Sequence, residues 1–542
     1  MLEELKQPNF SPLALDILRD RYLWRDAEGN ITETPQEMLI RVAKHVASAE
    51  KPEDRTYWTS KYYASMADLD FLPNSPTLMN AGRPYPHGQL AACFVVGIED
   101  SMESICGALR KQMLIHKTGG GTGFNFSKLR PKNSTVNSTN GRASGPVSFM
   151  RLFDLSTEVI QQGGMRRGAN MAILNCDHPD IEEFISCKDE EGKITNFNLS
   201  VGLTDEFMRR TVENPIASDE AHLLRRIAEH AWRSGDPGII FMDTLNKGNP
   251  CPHLGRIEGT NPCSEAGLLY DEACNLGSVN LAHMTIRGQV NWEKLQDTVR
   301  TAVRFLDDTI DVNQYPLPEI TEAVKRTRKI GLGVMGWADM LYKLRIPYDS
   351  QEALRLADDV MSYINLIGHL TSIKLAEERG MPKDCTIVNR RNATVTCIAP
   401  TGTLSLLAGC SSGIEPIFSN YHVRRVTLGD GSVVEKEVFN PCYTELVDDK
   451  ALSDEDLERI AKTAYTVEPK YHVLHTAVFQ KYTDLGVSKT VNMPAEATVA
   501  DVLDIFVLAW TEGCKGVTVY RNGSRSSQVL TEAPVHCKEC EM

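Results

Sequence analysis

The chain has 542 residues, 42% of them hydrophobic and 24% charged, with a formal net charge of −14. This is an ordinary globular composition with apolar residues enough for a large core, and its length admits one large α/β barrel with additions. An acidic balance without a long basic run argues against a nucleic-acid-binding surface. The opening MLEELKQPNF has no apolar segment of the secretory type. The most apolar stretch, VLDIFVLAW near residue 502, is too short for a membrane span and carries Asp504. Fourteen cysteines without such a signal predict a reducing, cytoplasmic setting, where thiols are catalytic, metal-binding or buried rather than bridged.

The first sixty residues read as helical. In TPQEMLIRVAKHVASA, Met38, Ile40, Val42, Val46 and Ala47 fall mostly on one side. FLPNSPTLMNAGRPYPHGQLAACFVVG is rich in Pro, Gly and Asn and leads into a strand around Cys93. The next helix carries an apolar stripe of Met102, Ile105, Leu109 and Met113, and the glycines of TGGGTGFNFSKLRP end it. NSTVNSTNGRASG is a polar loop with a turn at Asn140-Gly141. A long helix is predicted from an N-cap at Ser350 to Gly380, and HVRRVTLGDGSVVEKEVF predicts a hairpin around Asp430-Gly431. VADVLDIFVLAWTEG is a helix stopped by Gly513, and GVTVY a short strand. Beyond about residue 524 the polar, Ser-rich composition predicts a flexible tail. Strands and helices alternate, which favours an α/β class.

Chemistry first suggests itself in NPCSEAGLLYDEACNL, from residue 261. In an extended segment Asn261, Cys263 and Glu265 share one face, which sets a sulfur between an amide and a carboxylate. The plainer alternative is a buried Cys263 and a solvated Glu265. TGGGTG reads as turn and packing chemistry or as a phosphate cradle. In APTGTLSLLAG, Thr401, Gly402, Thr403 and Ser405 precede an apolar run; they are either a phosphate site at a helix N-terminus or an ordinary N-cap. Cys537 and Cys540 form a C-x-x-C pair near the end. They are read as a shuttle dithiol, as half of a zinc site with His536 and Cys251 or His253, or as incidental. Walker A, H-E-x-x-H and iron–sulfur cysteine runs are absent.

Eight segments in series, NSPTLMNAG, AACFVVGIEDSMESI, GGMRRGANMAIL, NPCSEAG, ACNLGSVNL, APTGTLS, SSGIEP and GCKGVTVYRNGSR, resemble the catalytic subunit of ribonucleotide reductase over roughly residues 60 to 525. The resemblance implies a ten-stranded α/β barrel, two parallel five-stranded halves set antiparallel, with a finger loop through the middle. It divides the chain into a helical N-terminal region (1–60) without the family's ATP-binding cone, a catalytic barrel (61–525) and a redox tail (526–542). Without that cone, specificity control is expected but no shut-off by dATP.

By the same resemblance Cys263 becomes a thiyl that takes the ribose 3′-hydrogen, Glu265 is the base for the 3′-OH, and Asn261 holds substrate and carboxylate in line. Cys93 and Cys274 are the pair oxidised to a disulfide. Cys537 and Cys540 re-reduce it and are recharged by a thioredoxin-like protein. Ser75, Thr401, Gly402, Thr403 and Ser405 contact substrate phosphate, Arg166 lies in a loop joining substrate base to specificity effector, and Asp100 contacts the effector nucleoside. No metal ligand is expected, and the remaining cysteines are left to the core.

The radical source is read from GVTVYRNG. Val519-Tyr520 stands where radical-transfer members that depend on a metal-bearing second subunit carry two adjacent tyrosines. Glycyl-radical members lack the glutamate present here. The resemblance is therefore to the adenosylcobalamin-dependent class, whose cofactor carries the hard chemistry while the protein orients it. No D-x-H-x-x-G cobalamin motif occurs, and this class does not use one. The expected partners are a ribonucleotide, probed first as a diphosphate, a deoxynucleotide or ATP effector, a thioredoxin-like reductant and a second copy in a homodimer; neither nucleic acid nor membrane is expected. Two alternatives remain: a metal-dependent large subunit needing a second chain, and a non-catalytic zinc-binding regulatory protein on the same fold.

Overall fold

The computed structural model describes residues 6–83, 88–136, 140–160, 168–190, 192–385, 388–427, 433–449 and 451–524, with only the backbone described in 421–427 and 433–439. Three helices lead, α1 (Pro12–Arg21), α2 (Pro35–Ala47) and α3 (Arg55–Ala67). A capping box of Thr34 and Glu37 starts α2 by satisfying two of its free N–H groups. It buries Met38, Leu39, Val42, Ala43, Val46 and Ala47 against α3 and the long helix Trp292–Val312, while the expected Ile40 is half-buried. Polar links reinforce this junction: Tyr62 donates to Asp308 at 2.6 Å, and Arg304 grips Glu50 at 2.5 Å.

The barrel's first half is five parallel strands in sequence order: β1 (Cys93–Val95), β2 (Gly121–Asn125), β3 (Asn170–Asn175), β4 (Phe197–Leu203) and β5 (Gly238–Phe241). The second half opens with β6 (Ala273–Asn280), antiparallel to β1 and parallel to β7 (Ile330–Met335). From β7 the pairing passes through residues 394–398, by the parallel bridges Leu332↔Thr396 and Ile398↔Val487, to the segment that becomes β8 (Thr490–Met493). That strand runs parallel to β9 (Gly516–Arg521), which is antiparallel to β5 and closes the ring. The two parallel halves therefore meet at two antiparallel seams, β1/β6 and β5/β9, as the resemblance implied. Strands β6 and β7 are covered on both faces: every residue of each is buried, Asn275 and Asn280 of β6 included.

Most predicted elements stand where expected. The long helix is Gln351–Arg379, capped by Ser350 and closed at Gly380. Strands Tyr421–Thr427 and Val433–Phe439 pair as a hairpin, with the Asp430-Gly431 turn outside the described residues. The last helix, Val499–Thr511, ends before Gly513 at φ +73°. Helix Met102–Lys117 departs from expectation: it buries Ile105, Ala108 and Ile115 but leaves Met102 and Met113 58% and 37% exposed. Gln112 and His116 take the inner face instead, because they bond to Thr157, Asn170 and Thr122. Among the described residues no helix is long and apolar enough to cross a membrane.

Candidate active site

Between β5 and β6 the chain enters the barrel as a narrow hairpin of strands Gly259–Thr260 and Gly267–Leu268. Its passage depends on missing side chains. A Cβ on Gly123 of β2 would lie 1.7 Å from the Thr260 carbonyl oxygen, one on Gly121 2.9 Å from Pro262, and one on Gly486 2.7 Å from the Glu265 carbonyl oxygen. The glycine run of TGGGTG is thus packing chemistry, a groove cut for the finger.

The tip is not extended, which corrects the alternation expected for Asn261, Cys263 and Glu265. Pro262 and a left-handed Ser264 (φ +67°) turn the chain, and the Ser264 N–H donates to the Asn261 carbonyl at 3.0 Å. Asn261 and Glu265 lie buried at the base of the turn, both 2% exposed, while Cys263 stands exposed at the tip. The Ala266 N–H donates to Asn261 Oδ1 at 2.9 Å and fixes the amide orientation, and Asn198 holds the Pro262 carbonyl at 2.8 Å.

The amide so fixed donates through Nδ2 to Cys93 Sγ at 3.0 Å, and Glu265 Oε1 lies 4.0 Å from the same sulfur. Cys274 is the register partner of Cys93 across the β1/β6 seam. Directly opposed residues of an antiparallel pair have Cα atoms about 4.5–5.5 Å apart, inside the roughly 4.4–6.8 Å that a disulfide spans. Burial pushes both thiols well above their ordinary range. The Glu265 carboxylate adds to this at Cys93; at Cys274, Lys329 opposes it. Cys263 lies within electrostatic reach of Cys93. The fold thus brings Asn261, Glu265, Cys93 and Cys274 together beneath the tip sulfur.

A second group lies where α1 meets the short helix Gly402–Ala408. Ser75 begins helix Ser75–Asn80, and its hydroxyl meets the Tyr22 hydroxyl at 2.7 Å. The preceding Asn74 N–H donates to the Leu276 carbonyl, two residues beyond Cys274, which ties Ser75 to the thiol strand. Thr401 is left-handed (φ +55°) and its hydroxyl accepts from the Gly413 N–H at 2.7 Å, so the helix starts without a side-chain cap. Gly402 is exposed and Thr403 half-buried, whereas Ser405 is buried and bonded to Ser412 at 2.9 Å.

Asp100 stands apart from both groups. It lies ahead of the Ser101 cap of helix Met102–Lys117 and pairs with Arg130 Nε at 2.7 Å. Arg166, Cys537 and Cys540 lie outside the described residues. Among the described residues no cluster of three or more His, Cys, Asp or Glu could hold a metal ion. Cys397 is among the cysteines that the sequence leaves to the core. Cys397 does lie in the core, but in the same cluster as Cys93 and Cys274, with its Sγ 3.5 Å from the Glu265 carbonyl oxygen.

Comparisons with known proteins bear on the chain as a whole. Residues 8–86 match the family described as ribonucleotide reductase, all-alpha domain, and 91–218, 217–385 and 388–520 match ribonucleotide reductase, barrel domain. A vitamin B12-dependent ribonucleoside-diphosphate reductase of Thermoplasma acidophilum is 42% identical over 628 residues, covering 97% of this chain and 81% of the relative. One of Mycobacterium tuberculosis is 44% identical over 576 residues, covering 98% and 82%. The class Id ribonucleotide reductase alpha subunit of Actinobacillus ureae superposes with a TM-score of 0.80 over 96% of this chain and 99% of that one; at 23% identity it speaks to the fold alone. With its helical N-terminal region, its closed barrel and a thiol-bearing finger inside, this chain belongs to the ribonucleotide reductase family.

Proposed function

We propose that this chain reduces ribonucleoside diphosphates to 2′-deoxyribonucleotides by thiyl-radical chemistry, with adenosylcobalamin as the radical source. The observation that carries the reading is the pairing of Cys93 with Cys274 on facing strands, with Asn261 and Glu265 against Cys93. Cys263 is the one exposed sulfur of this group, so a large cofactor can approach it. The residues it would meet are Cys263, Ser264 and the exposed Asn198 behind Pro262. When bound, adenosylcobalamin supplies the one-electron oxidation that makes Cys263 a thiyl.

As a thiyl, Cys263 removes the 3′-hydrogen, and the buried Glu265 carboxylate accepts the 3′-OH proton. Cys93, kept protonated by burial, gives its proton to the 2′-OH, which leaves as water. Cys93 and Cys274 then supply two electrons and the hydrogen that C2′ gains, and close to a disulfide; Glu265 returns its proton to the 3′-oxygen, and Cys263 returns the hydrogen to C3′. Asn261 acts by position, spanning Cys93 and the finger backbone. At the other end, Ser75, Thr401, Gly402, Thr403 and Ser405 receive the phosphates; an uncapped helix start offers free N–H groups there. The tail dithiol Cys537/Cys540 re-reduces the pair and is recharged by a thioredoxin-like protein.

Regulation is assigned to the outer helices. Met102 and Met113 on one helix, with Leu152, Leu155 and Val159 on the neighbouring Pro146–Val159, expose an apolar face beside Asp100. A second copy covering it makes a homodimer. Asp100 then meets an effector nucleotide there, and Arg166 passes its identity to the substrate base. The names of the relatives and the single tyrosine at Val519-Tyr520 favour this class over one needing a metal-bearing second subunit.

The test is anaerobic CDP reduction with dithiothreitol and a deoxynucleotide effector, with and without adenosylcobalamin. Product is expected only with the cofactor and is lost in Cys263→Ala. Product that instead requires a metal-loaded second subunit would transfer the chain to the other class. Stoichiometric zinc with an inert Cys263→Ala would favour the regulatory protein.

A further inference from the structure

The long helix Gln351–Arg379 buries Val360, Ile364, Ile367 and Leu375 on one side and packs on helices Trp292–Val312 and Pro469–Lys481. Its other side carries apolar residues that this packing does not use. Leu366, Leu370 and Ile373 are 54%, 51% and 36% exposed, and their spacings of four and three set them in one row. Beside Leu366 lies a hollow of about 330 Å³ walled by Trp292 and Tyr363, whose rings meet edge to face at 5.0 Å. Beside Leu370 lies a larger one, of about 890 Å³, with the exposed Tyr57 on its wall. An apolar row flanked by hollows on a soluble helix marks a contact surface.

The charges around the row say what fits it. Arg355 and Asp359 precede it, and Lys374 and Glu377 lie at its far end. All four are exposed, and no side chain among the described residues bonds to theirs. The order basic, acidic, apolar, basic, acidic is its own complement when one copy is turned end for end. With a two-fold axis between positions 366 and 367, Asp359 of one copy meets Lys374 of the other, and Arg355 comes beside Glu377. At the same register Tyr363 meets Leu370, so Leu370 reaches the hollow beside Trp292. Asp359 and Lys374 are fifteen residues apart, about 22 Å along the helix. An opposite-charge pair therefore closes each end of an apolar centre. A parallel pairing would set like charges side by side instead. Trp292 and Tyr57, on neighbouring helices, widen the patch toward the roughly 800 Å² per partner that a stable contact buries.

We propose that this face is a self-association surface, on which the long helices of two copies pack antiparallel around Leu366 and Leu370. It is separate from the face at Met102 and Met113: that helix follows β1 in the first half of the barrel, whereas the long helix follows β7 in the second. Each contact relates two copies by a two-fold axis, so a chain using both builds assemblies larger than a dimer.

The test uses the full chain carrying Leu152→Glu and Leu155→Glu, which blocks the other face. It is run without nucleotide or cofactor, so a failure of the reductase reading leaves it untouched. Sedimentation velocity over a concentration series is expected to show a monomer–dimer equilibrium. Asp359→Lys alone and Lys374→Glu alone each put two like-charge pairs into the contact, and each should raise the dissociation constant about tenfold or more. An equimolar mixture of these two variants should dimerise again, because every introduced charge then faces its opposite. That rescue is peculiar to an antiparallel self-contact, and it shows that both variants are folded. A chain that stays monomeric leaves the face to a different partner and overturns the proposal. So does an association that the single reversals leave unchanged, or a mixture that stays dissociated.

Discussion

At the finger, the side chains proposed to act beneath the exposed Cys263 are sealed in the barrel and held by one another: Asn261 on Cys93, Glu265 beside the same sulfur, Cys274 across the seam. At the proposed phosphate segment the side chains are already committed elsewhere, Thr401 to the Gly413 N–H, Ser405 to Ser412, Ser75 to Tyr22. What that segment has left to offer is the backbone at the start of an uncapped helix. Bond-making chemistry needs particular atoms at particular distances, whereas an anion is satisfied by any convergent set of N–H dipoles. The two ends should therefore respond differently to substitution.

The largest effect is expected from a residue that does no chemistry. Gly123→Ala places a carbon where the Thr260 carbonyl oxygen now sits. The finger must leave its groove, with a cost of more than about 4 kcal/mol in stability and complete loss of activity. Urea unfolding combined with proteolysis across residues 259–268 measures both. A variant with normal stability and turnover would show that the finger need not lie against β2.

Glu265→Gln comes next. The isosteric amide keeps the packing but cannot take the 3′-OH proton, so kcat is expected to fall about 10²–10⁴-fold with KM little changed. Steady-state kinetics over a substrate series separates the two. A large rise in KM at constant kcat would make Glu265 a binding group and erase the contrast between the ends.

A smaller effect tests the sealing itself. A raised thiol pKa means that the thiolate fraction of Cys93 keeps climbing with pH after an ordinary thiol, with pKa about 8.5, has begun to level off. Its alkylation by iodoacetamide should rise about tenfold per pH unit from 7 through 9.5. In the urea-unfolded chain the same cysteine should flatten above pH 8.5. Quantitative mass spectrometry of the Cys93 peptide gives both curves, and a folded-state plateau near 8.5 would mean a wet, open site.

The contrast also explains what could be read from the sequence. Local signals worked where local physics decides: the Thr34 and Ser350 caps, the Gly380 and Gly513 stops and the hairpin strands are written in residues a few positions apart. The eight motifs supplied the barrel. Cys93 and Cys274 meet only because β1 and β6 form a seam, so no spacing rule could have paired them. Periodicity failed at residues 261–265, where Pro262 and Ser264 turn a segment that alternation treats as straight. It failed again at Met102 and Met113, where buried polar bonds of Gln112 and His116 outweighed the apolar stripe. Cys397 joins the cluster of Cys93 and Cys274 only because strands distant in sequence pack together in the barrel.

Thr401→Val gives the smallest effect and the sharpest test of the backbone argument. The substitution keeps the shape but leaves the Gly413 N–H, now bonded to the hydroxyl at 2.7 Å, without its acceptor. An orphaned buried donor costs about 1–3 kcal/mol, so stability should fall by that amount. If phosphate is held by the N–H groups at the start of the Gly402–Ala408 helix, their direction is set by the left-handed turn at 401, which valine adopts only with strain. KM for the nucleotide should then rise only a few-fold, with kcat nearly unchanged. A rise of a hundredfold with stability intact would mean that the hydroxyl itself grips the phosphate and gives up Gly413 to do so. In that case the phosphate end, like the finger, depends on its side chains.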